Sequence, residues 1–253
     1  MMLEIARVTA NNQPMAGAYL LWLEAPQIAQ EARPGQFVMV RCEEYQLRRP
    51  LSIHLFEGDE IALLFNIVGG GTQWLSQRQP GDKLDLLGPL GNGFKVNPNA
   101  KNLYLVAGGI GIAPLVFLAE EAVKQGKEVT LLYGTASAAQ LYPHLPDAKI
   151  ITATEDGSKG KKGMITDILH DFIKDADQLF ACGPLAMYKT MAQMPELKKK
   201  PVQISLEVRM GCGLGVCYGC TVKTKNGLKQ VCRDGPVFEL NDILWAELAE
   251  GGV

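Results

Sequence analysis

The segment Asn102-Leu-Tyr-Leu-Val-Ala-Gly-Gly-Ile-Gly-Ile-Ala-Pro114 decides how the middle of this 253-residue chain folds. Its first six residues are an apolar run of strand length, Gly108 to Pro114 form a glycine-rich turn, and Leu115 to Lys124 carry helical periodicity. Further strands are expected at Glu128 to Tyr133, Lys149 to Ala153 and Gln178 to Cys182, with helical stretches around 165–172 and 185–194. This alternation predicts a parallel sheet with helices on both faces. In the turn, glycines let backbone N–H groups close on a phosphate, and the following helix adds the positive end of its dipole. The pattern is G-x-G-x-x-P, not the usual G-x-G-x-x-G, and alone it also reads as a plain tight turn. A second loop, Cys182-Gly-Pro-Leu-Ala-Met187, ends a later strand at the same carboxyl edge, where open α/β sheets bind ligands. Two such loops on one edge point to a nucleotide site.

Upstream, residues 1–97 alternate apolar and polar positions in short stretches such as Gln36-Phe-Val-Met-Val-Arg41 and Glu60-Ile-Ala-Leu-Leu-Phe65, separated by turn residues. That pattern predicts antiparallel strands closing into a barrel. Arg48-Arg-Pro-Leu-Ser-Ile53 sets a guanidinium beside a hydroxyl-bearing strand, and arginine can clamp a phosphate with two hydrogen bonds. A surface arginine beside a strand is the simpler reading of that motif taken alone. Gly69-Gly-Gly-Thr72, opening a short helix, adds a second anion site in the same small domain, and together they fit a cofactor bearing a pyrophosphate.

Downstream, Lys198-Lys-Lys-Pro201 reads as a solvated linker and domain boundary. Beyond it, Cys212, Cys217, Cys220 and Cys232 have the spacing C-x4-C-x2-C-x11-C, that of the ligands of a plant-type 2Fe-2S cluster. The glycines Gly211, Gly213, Gly215 and Gly219 between them allow positive φ and let backbone N–H groups approach cluster sulfurs. Zinc would favour two C-x2-C pairs or a Cys/His mixture, and disulfides would need an oxidising compartment. Cys42, in an apolar run, reads as a buried core thiol.

Lys plus Arg number 25 and Asp plus Glu 27, so a net charge of −2 offers no broad attraction to nucleic acid or anionic lipid. The sequence has no apolar run of membrane-spanning length, and its cysteine usage suits a reducing, cytoplasmic setting. His54, His144 and His170 each read as exposed or hydrogen-bonded structural histidines. Only His54, beside the arginine-bearing strand, is placed to matter.

The order of these motifs resembles the ferredoxin-NADP reductase superfamily over essentially the whole chain, and within it the electron-transfer subunits of type B dihydroorotate dehydrogenases. The resemblance rests on Arg-Pro-Leu-Ser52, Gly-Gly-Gly-Thr72, Gly-Pro-Leu-Gly-Asn-Gly-Phe94, Gly-Gly-Ile-Gly-Ile-Ala-Pro114, Cys-Gly-Pro184 and the cysteine segment from Glu207 to Phe238. It implies three parts: an antiparallel β-barrel FAD domain (1–97), a parallel-sheet NAD-binding α/β domain (98–200), and a small 2Fe-2S cluster module (201–253). Arg49 would hold the FAD pyrophosphate, Pro50, Leu51 and Ser52 would lie along the flavin, Asn66, Ile67 and Val68 along the flavin or ribityl chain, and Gly71 with Thr72 on phosphate. NADH would dock over Gly109, Gly111 and Pro114, with Cys182, Gly183 and Pro184 close to the nicotinamide. Where many members carry an aromatic residue this chain has Leu51, and Tyr133-Gly-Thr-Ala-Ser-Ala-Ala-Gln140 offers no arginine for a ribose 2′-phosphate, which favours NADH over NADPH.

The resemblance further implies electron transfer from an FMN-containing dihydroorotate dehydrogenase catalytic subunit, in a heterotetramer of two plus two, with no catalytic acid, base or nucleophile supplied by this chain. A flavin-binding β/α barrel needs roughly 250 residues by itself, so that subunit must be a separate chain. Electron-transfer subunits of sulfide reductases, hydrogenases or ferredoxin-linked transhydrogenases share the scaffold. A zinc-stabilised regulatory nucleotide-binding module is the alternative of another class.

Overall fold

The computed structural model describes residues 1–43 and 45–248. Six strands, β1 (Met2–Met15), β2 (Ala18–Glu24), β3 (Phe37–Val40), β4 (Arg49–Glu57), β5 (Glu60–Asn66) and β6 (Lys83–Leu90), close an antiparallel barrel in the order β1-β2-β5-β4-β3-β6. On β1 the period-2 pattern sends Glu4, Ala6 and Val8 inward and Leu3, Ile5 and Arg7 outward. The inward carboxylate is satisfied. Glu4 accepts from the backbone N–H groups of Gln27 and Ile28 at 3.2 and 3.0 Å, at the start of the short helix α1 (Pro26–Glu31). The helix expected after the glycine run is α2 (Gly70–Ser76).

The α/β part is a seven-stranded sheet made of β7 (Asn102–Gly108), β8 (Glu128–Thr135), β9 (Lys149–Thr154), β10 (Lys161–Lys162), β11 (Gln178–Cys182), β12 (Val202–Ser205) and an edge strand described below. All five residues of β11 are buried, as a strand covered on both faces requires. The helices are α3 (Ile112–Lys124), α4 (Ile165–Leu169) and α5 (Leu185–Gln193). The helical stretch expected to reach Phe172 is shorter: Asp171 and Phe172 donate to Ile168 and Leu169, tightening the chain into three-residue turns.

The sheet does not stop at the lysine run and Pro201. β12 pairs in parallel with β11, and after the cysteine segment β15 (Val237–Glu239) returns antiparallel to β12 as the edge. Between them lie a hairpin of β13 (Thr221–Thr224) and β14 (Gly227–Gln230) and the short helix α6 (Val231–Asp234). The cysteine module is therefore an insertion between two neighbouring strands of the nucleotide sheet. Positions 249–253 of the expected 201–253 module lie outside the described residues.

Strand order β10-β9-β8-β7-β11-β12 reverses direction at β7, and the two loops singled out in the sequence follow β7 and its neighbour β11. This is the crevice in which open α/β sheets take ligands.

Candidate functional site

The barrel side of the site is a cleft of about 590 Å³ lined by β4, the end of β5, the glycine run and residues 205–210. The two neighbouring arginines have different fates. Arg48 is held in the barrel, donating to Asp85 Oδ2 at 2.8 Å and to the Asp85 carbonyl at 3.0 Å. Arg49 lies in the cleft with its Cζ 5.1 Å from the Tyr45 ring centroid, donating to the Leu47 carbonyl. A Cβ at Gly71 would collide with the Arg49 guanidinium, and one at Gly70 with the Tyr45 hydroxyl. The bare glycines leave the cation room beside the first N–H groups of α2, a cradle suited to a phosphate. Thr72 is buried, and its hydroxyl turns back on its own loop, accepting from Val68 N at 2.9 Å and Gly69 N at 3.2 Å and donating to the Gly69 carbonyl at 3.0 Å.

Pro50, Leu51, Ser52, Asn66 and Val68 line the same cleft. Ile67 is not in its wall, and its backbone N–H instead donates to the Gly17 carbonyl at 3.4 Å.

A second cleft, about 680 Å³, opens at the sheet's carboxyl edge over Gly109, Gly111, Gly183 and Pro184. Pro114 and Cys182 are buried behind it. A Cβ at Gly111 would strike the Cys182 carbonyl, and one at Gly108 would lie 2.7 Å from Pro184 Cδ, so the two loops pack backbone to backbone. Burial pushes the Cys182 thiol well up, with the Glu207 charge adding to the rise, so it is no nucleophile. Tyr188 accepts from Gly183 N at 2.9 Å and donates to the Ser205 carbonyl at 2.7 Å, tying this loop to β12. At the far end of the cleft stands Glu155, a carboxylate that would repel a ribose 2′-phosphate.

Ile110 and Glu207 line both clefts. The sequence marks Glu207 only as the first residue of the cysteine segment; its position at the junction depends on β12 joining the sheet. Its surface is open to solvent, yet it stands in the concavity between the clefts, where loss of hydration raises its carboxyl pKa.

The four C-terminal thiols stand two by two. Cys220 and Cys232 have their sulfurs 3.3 Å apart, and the Cys217 thiol lies within hydrogen-bonding reach of Cys212. Backbone N–H groups of Leu214 and Gly215 point at Cys212 and Cys232 sulfurs at 3.3 and 3.1 Å. Burial would raise Cys212, but the N–H groups of Leu214, Cys217 and Val216 and the Cys217 thiol bring it down to about 6. Cys232 is pushed up to about 12 by burial and by the Cys220 thiol beside it, a repulsion that bound cations would relieve. Among the described residues no three His, Cys, Asp or Glu side chains converge tightly enough for one metal ion. Two thiols per iron is the arrangement a binuclear cluster needs, so the donor set fits 2Fe-2S. Tyr218, between the ligands of C-x2-C, has φ 59°, a strained value for an aromatic residue.

Residues 207–244 match the family model described as the iron-sulfur cluster binding domain of dihydroorotate dehydrogenase B, and residues 105–193 match an oxidoreductase NAD-binding domain. A dihydroorotate dehydrogenase B (NAD+) electron transfer subunit from Desulforamulus reducens is 39% identical, with 95% of this chain and 97% of that protein aligned. The protein of the same name from Clostridium acetobutylicum is also 39% identical, over 92% and 94% of the two chains. Among solved structures, the NADH-dependent reduced ferredoxin-NADP oxidoreductase studied for flavin-based electron bifurcation superposes with TM-score 0.87 at 29% identity, covering 97% of this chain and 91% of that one. A ferredoxin NADP+ reductase from Neisseria gonorrhoeae shares the fold at TM-score 0.64 and 18% identity, over 76% and 90% of the chains.

Proposed function

Because this chain belongs to the family of dihydroorotate dehydrogenase B electron transfer subunits, we propose that it conducts electrons from an FMN-containing dihydroorotate dehydrogenase catalytic subunit through a 2Fe-2S cluster and FAD to NAD+, in pyrimidine biosynthesis. What supports this route above all is the segment 206–210. It lines the barrel cleft, shares Glu207 with the nucleotide cleft, and reaches Cys212 two residues later. FAD takes up a hydride's electron pair and passes electrons singly, whereas a 2Fe-2S centre carries one at a time.

This chain's own residues bind, orient and space those groups. The Arg49 guanidinium, given room by Gly71, meets the pyrophosphate together with the backbone at Gly71 and Thr72, while the Thr72 hydroxyl braces the loop. Pro50, Leu51 and Ser52 would face the flavin, with Asn66 and Val68 in the same cleft wall and Ile67 outside it. The backbone at Gly109 and Gly111 would take the NADH pyrophosphate, and Gly183 and Pro184, which line the same cleft as Glu207, would confine the nicotinamide. Cys212, Cys217, Cys220 and Cys232 ligate the cluster.

The relatives' name, electron transfer subunit, implies a catalytic partner. Val216 and Tyr218, 70% and 66% exposed beside the exposed Cys217, give the cluster loop an apolar rim on which that partner docks in a two-plus-two heterotetramer. No described helix is long and apolar enough to cross a membrane, and the free thiols suit the cytoplasm. The 35–39% identical relatives named for dihydroorotate dehydrogenase favour that partner over those of the scaffold-sharing reductases.

The test is an anaerobic titration followed in the visible spectrum. NADH alone should reduce both FAD and cluster, and dihydroorotate should do so only with the FMN-containing subunit present. NADH reduction without any dihydroorotate response would reject the partner, and a colourless protein free of iron and flavin would reject the route.

A further inference from the structure

His54 follows Ser52 by two residues on β4. The ladder pairs Ile53 with Leu63 but Leu55 with Ala62, so His54 is the extra residue of a β-bulge. Bulges beside sites re-aim a side chain, and this one delivers an imidazole to α3. The ring is fully buried, with Nδ1 2.8 Å from the Ala113 carbonyl oxygen and Nε2 3.0 Å from the Tyr142 hydroxyl. A carbonyl only accepts, so Nδ1 carries the proton and the Tyr142 hydroxyl donates to Nε2. A single neutral tautomer satisfies both bonds. Burial supports that state by pushing the imidazole pKa down to about 4.

Each partner bears on the site. Ala113 lies in the first turn of α3, two residues past Gly111, and lines the barrel cleft beside Ile110, which also lines the nucleotide cleft. Tyr142 meets the His54 ring edge-on at 5.0 Å, and its backbone N–H donates to the hydroxyl of Tyr133 on β8 at 3.3 Å. Farther along the seam, Phe56 packs on Phe117 with centroids 5.4 Å apart. Apolar packing alone would hold β4 against α3; a buried imidazole adds directional bonds that fix register, at a desolvation cost a leucine would not incur.

Resting on the route proposed above, we infer that His54 is a positioning residue for hydride transfer, bolting the nucleotide turn to the strand that faces the flavin and so setting how nicotinamide and flavin meet. In that step a hydride, two electrons with one proton, leaves NADH, which becomes NAD+, and is taken up by the flavin with a second proton from water. The His54 side chain touches neither reactant.

The test compares holoprotein of wild type, His54→Leu, His54→Asn and Tyr142→Phe; asparagine keeps a donor where Nδ1 stands. Flavin and iron content, deuterium uptake over residues 109–117, the limiting rate of flavin reduction by NADH in anaerobic stopped flow, and the isotope effect with 4-deuterated NADH are read for each. His54→Leu should keep both cofactors, take up deuterium faster, and lose about ten- to a hundredfold in limiting rate with a larger isotope effect, as a small misplacement of reactants does. His54→Asn should recover most of that rate, and Tyr142→Phe should lose less than His54→Leu. A cofactor-replete His54→Leu protein with the wild-type limiting rate and isotope effect overturns the inference. Should His54→Leu lose its cofactors, Tyr142→Phe decides: slowed transfer with cofactors retained supports the inference, and an unchanged rate and isotope effect overturns it. Wild-type protein whose bound flavin NADH cannot reduce would overturn the route itself, and the inference with it.

Discussion

Gly111→Ala isolates the contact that brings the two nucleotide loops together. Gly111 has φ −60°, so alanine meets no backbone strain there. Its Cβ would instead stand 2.7 Å from Gly183 N and closer still to the Cys182 carbonyl, whereas ordinary contact begins at 3.4 Å. Both obstacles are backbone: clearing Gly183 N alone takes about 0.7 Å, the difference between those two distances, and the nearer Cys182 carbonyl requires the loops to part by more than that. Overpacking of this kind costs about 1 to 3 kcal/mol, and at about 2 to 4 °C per kcal/mol for a chain this long it should be visible in a melting curve. Gly109 is the internal control. Its φ is +54° with nothing within 4 Å of an added Cβ, so alanine there pays only left-handed strain, which asparagine tolerates. Melting temperature and NADH affinity are measured on Gly109→Asn, Gly111→Ala and Gly111→Asn, with flavin and iron content as controls. Gly109→Asn should melt near wild type, and both Gly111 variants should melt lower and bind NADH more weakly with flavin and cluster retained. Gly111→Ala melting within a degree of wild type, with unchanged NADH affinity, would refute the reasoning.

Other perturbations address each cofactor separately. Cys220→Ser should lose the cluster while keeping FAD, because the barrel cleft shares no residue with the four thiols; a full iron complement in the purified variant would sink the ligand assignment. Arg49→Ala removes a charge-assisted contact worth about 1.5 to 3 kcal/mol and should weaken FAD about ten- to a hundredfold by titration of the flavin-depleted protein, with Arg48→Ala instead lowering stability through the lost Asp85 pair; equal flavin affinity in Arg49→Ala and wild type would count against it. His54 has its folded pKa depressed from 6.5 to about 4, so its neutral burial contributes stability above pH 6.5 that is lost as pH falls toward 4. His54→Asn should flatten the melting temperature over that window, and an unchanged acid slope would contradict it.

Much of this was legible in residue order. Alternation marks the barrel strands, the apolar run before Gly108 marks a strand buried on both faces, and four cysteines at fixed spacing declare their joint purpose. What could not be read depends on pairing between distant segments. Nothing near Pro201 says that Val202–Ser205 will hydrogen-bond β11, so the sheet's extent and the shared position of Glu207 appear only with the fold. Arg48 and Arg49 are identical in the sequence, and only Asp85, 37 residues from Arg48, tells them apart. His54 is marked in the sequence only by its nearness to the arginine motif on the same strand, and its bulge exists only relative to β5.

The cysteine module enters and leaves through two adjacent strands, β12 and β15, that hydrogen-bond to each other. In evolutionary terms this makes it a cassette. Its entry and exit points are already neighbours, so a short hairpin could bridge them without cutting the sheet, and the surfaces left to be refilled are the wall given by residues 206–210 and the core that Val222, Val231 and Cys232 share with Phe37 and Met39 of the barrel. The same topology offers engineers a port, where a different one-electron carrier could be grafted beside the barrel cleft.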